Sequence, residues 1–298
     1  MLVRASAKVN LHLAVGAVRP DGFHDLTTVF HAVDLHDDVE ATPGEGTTIT
    51  MVGEGAASVP LDGENLAIQA ARLLAEHVGR KADVALTITK GIPVAGGCAG
   101  GSADAAATLV ACDALWGTGL TRTGLASLAA RLGSDVPFAL HGGTALGTGR
   151  GERLTPVLAR SSTSWVLALA DGGLSTPDVY GELDRQRGSG PVAVASEPSP
   201  VLAALRAGDP VALGHALGND LQPAALALAP HLRRVLETGR ELGALGCLVS
   251  GSGPTVAMLA LDPDAADELA AALAGYGVCR AVRRADGPAP GARIVEAS

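Results

Sequence analysis

From Lys8 to Val15 the chain alternates. Val9, Leu11, Leu13 and Val15 point to one side, and Lys8, Asn10 and His12 to the other. A period of two predicts a strand with one apolar and one polar face. Residues 26–33 predict a second strand, and residues 39–41 and 47–52 shorter ones. The run Arg19-Pro20-Asp21-Gly22-Phe23-His24 predicts a turn, because Pro20 fixes φ and Gly22 accepts positive φ. Over residues 64–78, Leu66, Ile68, Leu73, Leu74 and Val78 recur at helical spacing and stop at Gly79. Residues 84–89 are rich in β-branched side chains and predict a strand.

A glycine-rich stretch from Gly91 to Gly101 runs straight into an alanine-rich segment, 102–112, that predicts a helix. A second helix over 124–132 is stopped by Gly133, and residues 143–158 predict glycine-rich hairpin strands. A polar patch at 160–164 marks a boundary. Beyond it the pattern predicts a strand at 165–170, several helices, a strand pair within 245–261, a helix at 263–273, and strands near 278–284 and 292–295. Residues 188–200, rich in Gly, Pro and Ser, predict a loop. The irregular alternation suggests an α+β fold rather than a doubly wound parallel sheet. With 298 residues there is length for roughly two domains of about 150 residues. We place them at 1–158 and 159–298.

Composition narrows the function. Hydrophobic residues make up 47% of the chain, enough to build a core, but aromatics only 2%, so Ala, Val and Leu must fill it. An aromatic in a polar setting then becomes a candidate for contact with a flat ligand. The net charge of -9 argues against nucleic acid or an anionic membrane surface as a partner. Four scattered cysteines without a CxxC pair read as reduced thiols, and no HExxH or similar spacing suggests a dedicated metal centre. The N-terminus lacks a signal-peptide pattern and no apolar run reaches the roughly 18 residues of a membrane span. A soluble cytoplasmic protein is expected. Lysine occurs only at Lys8, Lys81 and Lys90, so a lysine kept in an apolar segment draws scrutiny.

The strongest local signal is Pro93-Val94-Ala95-Gly96-Gly97-Cys98-Ala99-Gly100-Gly101-Ser102. Glycines let backbone approach a ligand, and a helix starting at Ser102 would add its unpaired N–H groups and positive dipole end. Together they suit a di- or triphosphate. The loop has neither the Gly-Lys-Ser/Thr of a Walker A motif nor the spacing of a Rossmann turn. Three other features are ambiguous singly. Lys8 reads as a solvent-facing lysine, Asp135 in Gly133-Ser134-Asp135-Val136-Pro137 as a turn residue, and Ser250-Gly251-Ser252-Gly253 as a hairpin turn.

Taken together, these motifs resemble the GHMP superfamily of small-molecule kinases. Carrying that likeness are Ala7-Lys8-Val9-Asn10-Leu11, the glycine loop with its helix, and the Gly251-Ser252-Gly253 turn. The 19–24 run, the 133–137 turn and Asn219-Asp220-Leu221 resemble, more narrowly, the 4-diphosphocytidyl-2-C-methyl-D-erythritol kinase family of non-mevalonate isoprenoid biosynthesis. The resemblance implies a nucleotide-binding α+β lobe and a smaller ferredoxin-like α+β lobe with the active site between them. It implies Asp135 as catalytic carboxylate with Lys8 as its partner, and Pro93 to Ser102 with Ala103 as the ATP loop. Asn10, Phe23, His24 and Tyr180 are implied for the cytidine diphosphate substrate, and Asn65 and Leu66 are candidates for adenine. ATP with Mg²⁺ is the implied co-substrate, without a protein metal cage, and the state a monomer or weak homodimer. Two alternatives are another kinase of the superfamily, of the homoserine or mevalonate type, and a catalytically silent ligand-binding protein on the same fold. The 20–24 run disfavours the first, and the joint presence of Lys8 and Asp135 the second.

Overall fold

The computed structural model describes residues 1–94, 96–188 and 197–295. Ala95 of the glycine loop, and residues 189–196 of the expected loop at 188–200, lie outside the described residues. In chain order the elements are β1 (Leu2–Val18), β2 (His24–Thr42), β3 (Thr47–Gly53), α1 (Leu66–His77), β4 (Val84–Lys90), α2 (Gly100–Trp116), α3 (Arg122–Leu132), α4 (Val136–His141), β5 (Thr144–Gly149) and β6 (Arg153–Pro156). They continue as β7 (Thr163–Leu169), α5 (Thr176–Arg187), α6 (Ser199–Ala207), α7 (Pro210–Ala216), β8 (Gly218–Asn219), α8 (Gln222–Leu228), α9 (Leu232–Glu241), β9 (Gly246–Val249), β10 (Val256–Ala260), α10 (Pro263–Tyr276), β11 (Ala281–Gly287) and β12 (Arg293–Ile294).

Two sheets organise the molecule. The larger runs β12-β1-β2-β4-β3, with β5 and β6 added on β2 and β8 on β1. It is antiparallel except for the β3–β4 and β1–β8 pairs. The smaller runs β11-β7-β10-β9, wholly antiparallel. Numbered by their own order, these strands read 4-1-3-2 with helices after the first and third, the ferredoxin-like arrangement. The chain does not divide cleanly between the sheets, since β8 and β12 return from the C-terminal half to flank β1.

Helix α2 sits on the larger sheet, and ten consecutive residues from Ala103 to Cys112 are buried. Its alanines are small enough to bring neighbours close on every side, as an all-apolar helix requires. Three expectations need correction. The stretches 26–33 and 39–41 are one continuous strand, because Asp37, which interrupts the apolar pattern, is buried against Lys90. Helix α2 starts at Gly100, two residues earlier than expected. The polar face of β1 is not exposed: Lys8, Asn10 and His12 are all buried. The glycine loop and the 250–253 turn cover it, and Lys8 N–H donates to Cys98 O at 3.2 Å.

His31 on β2 joins the two sheets. It is fully buried, and its ring nitrogens pair with Thr144 Oγ1 at 2.8 Å and Thr163 Oγ1 at 2.9 Å. One nitrogen donates and the other accepts, as a neutral imidazole does. Burial pushes its pKa down from 6.5 to about 4. The unfolded chain therefore binds a proton near pH 6.5 that the folded chain refuses. Stability should fall as pH drops through that interval, by about 3 kcal/mol in all. Urea unfolding across pH 7 to 4 should show a shallower acid loss for His31→Asn than for the wild type. Equal slopes would contradict the assignment.

Candidate active site

A cavity of about 1000 Å³ is lined by β1, the glycine loop, the start of α4, helix α5 and the 251–253 turn. At its nucleotide end the loop from β4 to α2 makes two left-handed residues. Gly97 has φ +75°, and Ala99, the N-cap of α2, has φ 61°, the one non-glycine with positive φ among the described residues. This kink frees the first N–H groups of α2, at Gly100, Gly101 and Ser102, from helical pairing. The loop is braced from behind, with Thr255 N–H donating to Gly96 O at 3.3 Å and Ser250 Oγ to Gly97 O at 3.2 Å.

Beneath the loop lies a buried charge cluster. Lys90 Nζ reaches Asp37 at 2.5 Å and Asp104 at 2.7 Å. The other Asp37 oxygen accepts from Gly91 and Ile92 N–H at 2.7 and 2.9 Å. The cluster thus ties the first residues of the loop to the second turn of α2. Burial, and then the Asp37 charge, push the Asp104 carboxyl upward, while the Lys90 ammonium pulls it back. Burial opposes the Lys90 charge, but the two carboxylates outweigh it and hold the ammonium above its ordinary range. Sequence reasoning missed this cluster, although a rare lysine ending an apolar strand was a signal for it.

In the middle of the cavity Lys8 Nζ donates to Asn10 Oδ1 at 2.6 Å and to Gly97 O at 3.1 Å, and stands 3.7 Å from Asp135 Oδ2. Asp135 stands at the N-cap position of α4, a six-residue helix the sequence did not announce, but its side chain makes no capping hydrogen bond, and about a third of it is exposed. Asn10 is fixed in turn, donating to Thr28 Oγ1 at 2.8 Å. Gly251 presses against this pair: a Cβ there would stand 3.1 Å from Lys8 Nζ.

At the far end His24 Nε2 pairs with Asp184 at 2.9 Å, and its ring lies 5.0 Å from that of Tyr180. Burial, and then the Asp135 charge, raise the Tyr180 hydroxyl pKa, so the phenol stays protonated. Phe23 is 49% exposed and faces the cavity.

The structure therefore brings Lys8, Asn10, Phe23, His24, Asp135 and Tyr180 to one cavity with Pro93, Val94, Gly96, Gly97, Ala99, Gly100, Gly101 and Ser102. Cys98 and Ala103 turn their side chains into the core, and Ala103 N–H is used within the helix, donating to Ala99 O. Asn65 caps α1, accepting from Ala67 N–H, while Leu66 lines the cavity. The Asn219-Asp220-Leu221 motif works from behind. Asn219 Nδ2 donates to Val249 O and Gly251 O, both at 2.7 Å, and Asp220 accepts from Val15 N–H. It joins β1 to the 250–253 turn.

Comparison with known proteins places the chain in a family. Residues 65–143 match the GHMP kinases N terminal domain, and residues 201–279 the GHMP kinases C terminal domain. The chain is 60% identical over 296 residues to a 4-diphosphocytidyl-2-C-methyl-D-erythritol kinase of Nocardia farcinica, covering 99% of this chain and 96% of that protein. It is 59% identical over 297 residues to one of Mycolicibacterium smegmatis, covering 99% and 92%. A crystal structure of a 4-(cytidine 5'-diphospho)-2C-methyl-D-erythritol kinase superposes with a TM-score of 0.77 at 34% identity, over 96% of this chain and 98% of that one. A homoserine kinase from Cytophaga hutchinsonii gives the same TM-score at 20% identity, a likeness of fold.

Proposed function

The chain belongs to the GHMP kinases and, among them, to the 4-diphosphocytidyl-2-C-methyl-D-erythritol kinase family, and on that premise we propose that it transfers the γ-phosphoryl of ATP to the 2-hydroxyl of 4-diphosphocytidyl-2-C-methyl-D-erythritol. One observation carries the reading. The Lys8–Asp135 pair lies in a single cavity, with the glycine loop to one side and Phe23, His24 and Tyr180 to the other.

The chemistry follows from that placement. Phosphoryl transfer needs positioning and charge stabilisation more than covalent help. The loop and the α2 N–H groups hold the ATP phosphates. Asp135 orients the acceptor hydroxyl and takes its proton as the new P–O bond forms. Lys8, fixed by Asn10 and Gly97 O, offsets charge developing on the transferred group. Tyr180 and the His24–Asp184 pair wall the acceptor end, and Phe23 offers a face to the cytosine ring.

Among the described residues no three His, Cys, Asp or Glu side chains converge to cage a metal. The donors fit an ion that arrives with ATP and keeps several of its waters. Ser102 and Asp135, which both line the cavity, would stand next to it, and Mg²⁺ would draw charge from the β- and γ-phosphates. Net charge of -9 supports a small-molecule rather than a nucleic-acid partner. No described helix is long and apolar enough to cross a membrane.

Phe23→Ala removes the stacking face. Steady-state kinetics should show the KM for the cytidine substrate rising by the equivalent of about 1–3 kcal/mol, with the KM for ATP nearly unchanged. A change confined to ATP would reverse the assignment of the two ends.

A further inference from the structure

We infer that Arg150 is a specificity-determining residue of the acceptor site, its guanidinium binding the diphosphate that links cytidine to the acceptor alcohol. The inference rests on the proposed function for the identity of the acceptor. Arg150 forms the tip of the β5–β6 hairpin between Gly149 and Gly151, both with positive φ. Its backbone N–H is pinned by Glu152 Oε2 at 2.6 Å, which fixes the tip. From there the side chain reaches into the cavity and lays its guanidinium over Phe23, 4.8 Å from the ring centroid. That stack steers the group without consuming its N–H donors.

Charge accounting singles this residue out. A diphosphate diester carries about two negative charges, and the same part of the cavity already holds the carboxylates of Asp135 and Asp184. Among the described cavity residues the other basic side chains are engaged. Lys90 is held by Asp37 and Asp104, Lys8 by Asn10, Gly97 O and Asp135, and His24 by Asp184. The Arg150 guanidinium makes no hydrogen bond or ion pair with any described residue; its charge is felt by Asp21, but that carboxylate is already paired with Arg19 at 3.1 Å. It offers five donors in a fixed fork that matches phosphate oxygens two at a time. A cation left in this state beside the aromatic proposed to stack the base lies within one side-chain length of the adjoining diphosphate. In the sequence a Gly-Arg-Gly hairpin tip reads as an ordinary exposed turn, so nothing local pointed to it.

The test compares ligands that differ only in phosphate. Inhibition by cytidine and by CDP, competitive against the cytidine substrate, is measured for the wild type, Arg150→Ala and Arg150→Lys, with melting curves as a fold control. Arg150→Ala should weaken CDP by about 10–100-fold, the worth of a charge-assisted pair. Cytidine should change by less than about threefold, as should the KM for ATP. Arg150→Lys, which keeps the charge but loses the fork, should fall between. Equal weakening of cytidine and CDP would make Arg150 a base-stacking residue and overturn the inference, as would unchanged CDP binding. If CDP fails to compete with the substrate even in the wild type, the proposed acceptor itself is wrong, a distinct outcome.

Discussion

Asp135→Asn is expected to lower the turnover number by about 10²–10⁴-fold, the usual worth of a general base. The amide keeps the size of the carboxylate and its place at the start of α4, where the side chain makes no capping hydrogen bond, but it cannot take up the acceptor proton. Binding of both substrates should change little, because the lost interaction strengthens only as the proton moves. Lys8→Met should also be slow, for a different reason. It removes the cation 3.7 Å from Asp135 and the donor to Gly97 O, so transition-state charge and loop position are lost together. The double variant should lose less than the product of the single losses, since the two groups act as a unit. Single-turnover measurements with both substrates saturating isolate this step. A near wild-type rate for Asp135→Asn would reduce Asp135 to a turn residue.

The second large effect separates two glycines that look alike in the sequence. A Cβ on Gly97 would stand 2.2 Å from Ser250 O, at a φ of +75° that side chains rarely adopt. Gly97→Val should therefore damage the fold, by at least about 1–3 kcal/mol from strain and overpacking, as well as nucleotide binding. Gly101 is different. It lies in the open first turn of α2, and its Cβ would meet nothing closer than Leu66 Cδ1 at 3.7 Å. Gly101→Val should keep its melting temperature within a few degrees yet bind ATP about tenfold or more weakly, a loss of roughly 1.4 kcal/mol, because the side chain fills space needed by phosphate. Calorimetric titration with a non-hydrolysable ATP analogue, beside thermal melts, checks both. A folded Gly101→Val with unchanged affinity would remove the loop from the nucleotide site.

What could be read from the sequence was what is local. Alternation at 8–15 and helical spacing at 64–78 depend on neighbouring residues alone, and β1 and α1 appear there. The glycine loop was legible because its composition has few other uses. Contacts across the chain were not. Lys90 lies 53 residues from Asp37, so nothing local showed that this acid was satisfied and that strand β2 continued through it. The same blindness made the polar face of β1 look solvated, since its cover comes from residues 97–98 and from the 250–253 turn. Helix α4, at six residues, is too short to display a period and is held by its surroundings. Lys8 and Asp135 were found only because several ambiguous motifs pointed to the same family, and the structure supplies the reason they occur together.

The central claim is that one cavity joins the ATP loop to a cytidine diphosphate acceptor across Lys8 and Asp135. The most direct measurement supplies the protein with ATP and Mg²⁺ and, in separate reactions, 4-diphosphocytidyl-2-C-methyl-D-erythritol, mevalonate and homoserine, and follows products by ³¹P NMR. The account predicts a new phosphomonoester resonance, with matching ADP release, in the first reaction alone. A phosphomonoester formed from mevalonate or homoserine instead, or ADP release indifferent to every acceptor, would contradict it.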